Sequence, residues 1–153
     1  FSAGQWLNGN VFIVGQYIQD KCDDFFDLPF NRSKFSVITG GMASFLLNKQ
    51  ANLRFILNPF FQSNAIQGVY DIKNLFKLNA SLRWASADDK WNVVLSGNNL
   101  TNSRFKLHSN YENQDFSMNV SQDWITANLS VIFKFGNYKR KNIKEVDTSR
   151  MGY

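Results

Sequence analysis

Apolar and polar residues alternate with a period of two through most of this chain, and no stretch shows an apolar face at helical spacing. The pattern is cleanest between residues 70 and 84. Tyr70, Ile72, Phe76, Leu78, Ala80, Leu82 and Trp84 share one phase, broken by Asn74. Asp71, Lys73, Lys77, Asn79, Ser81 and Arg83 hold the other, with Leu75. Successive side chains on a strand point to opposite faces, so this segment predicts a sheet with one greasy face and one wet face. Residues 125–135 repeat it: Ile125, Ala127, Leu129, Val131, Phe133 and Phe135 oppose Thr126, Asn128, Ser130, Ile132 and Lys134. So do Leu53, Phe55, Leu57 and Phe61 against Asn52, Arg54 and Asn58, and Trp91, Val93 and Leu95 against Asn92, Ser96 and Asn98.

Six strands are predicted, over 10–20, 34–48, 51–62, 68–86, 90–107 and 115–135, with residues 1–5 as the end of a seventh. Residues 11–18 are apolar on both phases, so the faces of the first strand stay open. Short links (6–9, 48–50 and 87–89) alternate with longer ones (21–33, 63–67 and 108–114). That rhythm predicts an all-β antiparallel up-and-down meander with short turns at one end and long loops at the other.

Charge tests the two faces. Arg54, Asp71, Lys73, Lys77, Arg83 and Lys134 lie inside the apolar-looking spans, and all fall on the wet phase. Phe55, Phe76, Leu78, Leu82, Val93, Leu129, Val131 and Phe133 fall on the greasy one. Trp6, Trp84, Trp91 and Phe135 gather at the short-turn end, where an amphipathic ring suits a membrane interface or caps a soluble core equally well.

Periodicity does not choose between a membrane barrel and a soluble barrel that binds an apolar ligand. Three features favour the membrane. The wet face is rich in Asn and Ser, where a soluble surface would carry more Lys and Glu. Several strands reach the roughly nine to eleven residues that cross a bilayer at a tilt. Six strands also leave two open edges, which in lipid cost several kcal/mol per unpaired backbone group. The chain is therefore read as the C-terminal strands of a transmembrane β-barrel (residues 1–135), completed by strands from elsewhere. A basic periplasmic tail (residues 136–153) follows, with Lys139, Arg140, Lys141, Lys144 and Arg150 against Glu145 and Asp147. A solvated terminus is preferred there over a nucleic-acid contact. The first residue is Phe, which predicts a processed or truncated start.

The resemblance now has its residues. WNVVLSGNNLTN (91–102) is similar to the penultimate-strand motif of TonB-dependent receptors, with Thr101 where that family commonly has Phe. ANLSVIFKF (127–135) resembles the C-terminal signal read by the barrel-assembly machinery, although Ser130 stands in place of Gly and 18 residues follow the aromatic. SNAIQGVYDIKNLFKLNASLRW (63–84) and the tail KRKNIKEVDTSRMGY (139–153) also look like the TonB-receptor-like outer-membrane barrels. The resemblance implies a large outer-membrane barrel with a plug domain that takes up nutrients. It also implies partners: the remaining strands and plug, outer-membrane lipid, the barrel-assembly machinery, TonB and a surface lipoprotein. Arg54, Asp71, Lys73, Lys77, Arg83 and Lys134 would then face the lumen, the eight greasy-phase residues above would face lipid, and Trp84, Trp91 and Phe135 would form a girdle. A non-transporting barrel, an adhesin or an anchor for a surface complex, is the alternative.

Catalytic chemistry finds no footing, and neither a cofactor nor a metal is expected. His108 is the only histidine, expected solvated near the top of the last hairpin, and Cys22 is the only cysteine. Asp20, Asp23, Asp24 and Asp27, with Asn31, could supply oxygens to Ca²⁺, but the EF-hand spacing is missing and a solvated acidic loop is expected. Gly40–Gly41 interrupts a strand and predicts a bend or a close backbone approach.

Overall fold

The computed structural model describes residues 1–4, 6–24, 29–50, 52–111, 114–121 and 124–135. Among these the chain is all β, with eleven strands in two antiparallel sheets. The main sheet runs in the order β1 (Ser2–Ala3), β2 (Leu7–Cys22), β3 (Phe30–Leu46), β4 (Leu53–Gln62), β7 (Leu75–Ala85), β8 (Trp91–Asn98) and β11 (Thr126–Phe133). It is the expected meander. Its short turns, between β1 and β2, β3 and β4, and β7 and β8, lie together at one end. At the other end the long connections build a second sheet from two hairpins, β5 (Ala65–Gln67) with β6 (Tyr70–Ile72) and β9 (Phe105–Tyr111) with β10 (Gln114–Val120). The hairpins join through β6 and β9, where Asp71 faces His108 and Ile72 faces Leu107.

That second sheet corrects three of the predicted strands. The segment 68–86 does not run through: it breaks at Lys73–Asn74, and Tyr70 and Ile72 belong to the second sheet. Asn64 Oδ1 accepts the Asn74 N–H at 2.7 Å and closes the base of the hairpin. The segment 90–107 breaks after Asn98, where Asn99 and Asn102 adopt positive φ (48° and 50°), which Asn tolerates better than most residues. The segment 115–135 divides into β10 and β11. At the start, residues 7–9 are strand, and β1 supplies the expected extra strand end by pairing with Leu7 and Asn8.

The register fixes the faces. Phe55, Leu82, Leu95 and Leu129 follow one another across β4, β7, β8 and β11, as do Leu53, Trp84, Val93 and Val131. The row continues into β3 through Phe45 and Ala43, and from there into β2. The faces left open in β2 are thereby settled. Val11, Ile13 and Tyr17 join the greasy face, while Phe12, Val14 and Ile18 share the other with Asn10, Gln16 and Asp20. The close approach expected at Gly40–Gly41 is present. A Cβ on Gly41 would collide with the Asn10 carbonyl, and one on Gly40 would sit 2.8 Å from the Phe12 ring.

The sheet does not close on itself among the described residues. β1 covers only two residues of β2, and β11 pairs with β8 alone.

Candidate functional site

One face of the main sheet stands uncovered. Ile13 is 73% exposed, Leu129 68% and Val131 53%. Phe76, Leu82, Trp84, Trp91 and Leu95 are exposed beside them, and Phe55, Leu78, Val93 and Phe133 are half-buried. All eight greasy-phase residues singled out above lie on this face. At the short-turn end it carries the aromatics. The rings of Trp91 and Phe133 are 4.4 Å apart, and Phe133 meets Phe135 edge-on at 4.6 Å. Trp84 lies one register step further in, opposite Val93.

The opposite face holds the polar chemistry, and it differs at its two ends. At the loop end the β5–β6 hairpin folds onto it. Asp20 Oδ2 accepts the Gly68 N–H at 2.5 Å. Arg32 Nη2 meets Asp71 Oδ1 at 2.8 Å, and Lys34 Nζ reaches the same oxygen at 3.7 Å. Asp20, Arg32 and Lys34 all belong to the wet phase of β2 and β3. Ser36, fully buried, sits beneath the hairpin base with its Oγ 3.4 Å from Ser63 Oγ. The buried apolar residues Ala65, Ile66 and Val69 are all on the hairpin. It can lie there because it brings one carboxylate to two cations and because Gly68, at φ 57°, makes the tight turn.

At the turn end Arg54 and Arg83 stand directly opposite each other on β4 and β7. They line a cavity of about 240 Å³ with Asn52 and Ala85. Lys77 shares their face, opposite Phe60. Lys134 lies just past β11, its N–H donating to the Lys90 carbonyl and its Nζ 3.5 Å from Asp89. Of the six charges assigned to one wall, then, Arg54, Lys77 and Arg83 are on it and Lys134 is at its turn edge. Asp71 reaches the wall from the hairpin, and Lys73 follows β6, its N–H bonded to Lys106. The assignment of these two to the wall strand is corrected, for the reason that breaks that strand at Asn74.

The NNLTN motif proves to be a shaped turn. Asn99, almost wholly buried, accepts the Ser103 N–H at 2.9 Å and donates to the Ser103 carbonyl, while Asn79 Oδ1 receives the Asn99 N–H. Asn is needed there for its positive φ and for its two-sided amide. The motif is visible along the chain, but the buried two-sided amide of Asn99 is not.

The acidic loop is drawn apart: Asp20 goes to Gly68, Asp23 pairs with Lys21 at 3.2 Å, and Asp27 lies outside the described residues. No metal-binding group of side chains occurs among the described residues. His108 is on β9, a third of its side chain exposed, with Nδ1 2.9 Å from Ser117 Oγ and 3.7 Å from Asp115 across its hairpin. In the turn 86–90 the Ser86 hydroxyl, followed by the Lys90 N–H, holds the Asp88 carboxyl below its ordinary range.

The model of an outer membrane protein beta-barrel family matches residues 1–135. The chain belongs to that family. Searches of curated proteins and of solved structures give no match. Membership places this barrel segment in the bacterial outer membrane and removes the soluble apolar-ligand barrel from the alternatives. The tail 136–153 lies beyond both the match and the described residues.

Proposed function

We propose that this barrel segment is part of the wall of a TonB-dependent receptor-like transporter for nutrient uptake. The greasy face meets acyl chains, the polar face lines an aqueous lumen, the short turns face the periplasm and the long loops face outside. The observation that carries the reading is the contrast between faces. Ile13, Leu129 and Val131 project with no protein over them, while the opposite face carries charge and a folded-in hairpin. The resemblance of residues 91–102 to the receptor motif supports transport in particular. Both sheet edges need partners in a bilayer, so further strands complete the barrel; the resemblance to the receptors adds a plug domain. Outer-membrane lipid, the barrel-assembly machinery, TonB and a surface lipoprotein are the other expected partners.

One observation favours a second reading, a non-transporting anchor for a surface complex. At the loop end Phe30, Val69, Tyr70, Leu107, Phe116 and Met118 line a largely apolar cavity of about 500 Å³. Binding of the periplasmic domain of TonB to the purified full-length protein separates the two. Saturable binding is expected of the transporter, and its absence leaves the anchor.

A further inference from the structure

We propose that Arg54 and Arg83 form a binding site for an oxyanion group, a carboxylate or phosphate carried by a solute, near the short-turn end of the polar face. The inference rests on reading that face as the lumen wall. The register sets the two arginines directly opposite each other and both line one cavity, where like charges repel and weaken the strand pair. Several cations of the main sheet and its turns have local partners: Arg32 and Lys34 share Asp71, Lys90 has Asp88, and Lys134 has Asp89. No carboxylate among the described residues pairs with Arg54 or Arg83.

The cavity between them, about 240 Å³, is large enough for a phosphate or a small carboxylic acid, and its side chains offer donors. Arg83 Nε donates to Asn92 Oδ1 at 3.3 Å, which orients the guanidinium and leaves its two terminal nitrogens to a ligand. Asn52 Oδ1 is already taken by Asn48 Nδ2, so the Asn52 side chain presents its NH₂. Asn48 also accepts the Asn52 and Leu53 N–H groups and so fixes this corner of the turn. Two planar forks and one amide donor suit an oxyanion held bidentately, and a bound anion removes the repulsion that the empty pair carries.

The test uses full-length protein in detergent, titrated with inorganic phosphate at constant ionic strength and read by broadening of the ³¹P line. Saturable binding is expected. Arg54→Gln and Arg83→Gln should each weaken it about tenfold or more, and Arg83→Lys, which keeps the charge but loses the fork, by less. Lys106→Gln, in a separate basic cavity at the loop end, should leave it unchanged. Binding indifferent to both arginine substitutions, or weakened equally by Lys106→Gln, overturns the site. So does a wild type that ignores phosphate while the double Gln variant loses barrel stability, because a carboxylate of another segment then already fills the pair. Ser81→Cys, in a Cys22→Ser background, keeps the two readings apart. Labelling by a membrane-impermeant maleimide without phosphate binding sinks the oxyanion site alone; no labelling sinks the lumen reading beneath it.

Discussion

At the loop end of the polar face, Asp71 gathers Arg32 and Lys34 while Asp20 holds the backbone of Gly68; at the turn end, Arg54 confronts Arg83 with no acid of the described residues between them. The same wall therefore carries one neutralised cluster and one uncompensated pair. The difference follows from what lies on each. A hairpin docked on a polar wall displaces water from it, and the displaced charges must find partners. Where nothing is docked, water screens like charges well enough for them to stay. Matched charge marks where the protein has closed on itself, and unmatched charge marks where it is still open to something else.

The largest expected effect tests the surface on which both ends stand. Leu129→Arg, on the greasy face, should cost about 2–4 kcal/mol and block assembly into the outer membrane. Ser130→Arg, next to it on the polar face, should assemble. Heat-modifiable gel mobility of the two variants checks this, and equal behaviour would break the division of faces. Asp71→Asn comes next. It leaves Arg32 and Lys34 without their carboxylate and should release the hairpin at a cost of about 1–2 kcal/mol, the low end for a charged hydrogen bond because the pair is a third exposed. Proteolytic cleavage between residues 65 and 72 should quicken, and the difference from the wild type should shrink in high salt, which screens the wild-type pair.

The converse substitution is Arg83→Glu, which gives the turn end the partner that the loop end already has. With no anion present it should stabilise the barrel by about 0.2–1 kcal/mol in chemical denaturation. A loss of stability would mean that Arg83 is already paired in the whole protein. The smallest effect is local. The lowered Asp88 carboxyl makes its contacts with Ser86 and Lys90 fully present above the ordinary value of 3.8. They are lost as pH falls through the lower folded value. Exchange of the Lys90 amide should therefore speed up only below that range, and Asp88→Asn should remove the dependence.

The meander was legible because period two survives in β4, β7, β8 and β11, where one face is greasy and the other polar. The hairpin docked on the wall was not. Tyr70 and Ile72 keep the same phase as Phe76 and Leu78, so the change of sheet is hidden behind a single asparagine. β2 was unreadable for a different reason. Phe12 is apolar yet lies on the polar face, where its ring covers Gly40 in place of a missing side chain. Arg54 and Arg83 were each assigned to the wet phase, but their opposition depends on the register between two strands. Alternation within either strand carries no information about it.

Pro59 sets how this wall can move. It has no N–H, and the β3–β4 ladder skips there, passing from Gly40↔Phe60 to Ala43↔Leu57. The β3–β4 ladder is thus interrupted beside Pro59, between β2 and β3 on one side and β4, β7, β8 and β11 on the other. Bending should concentrate along that seam, so thermal breathing would change the angle between the two groups of strands and leave the curvature of each nearly fixed.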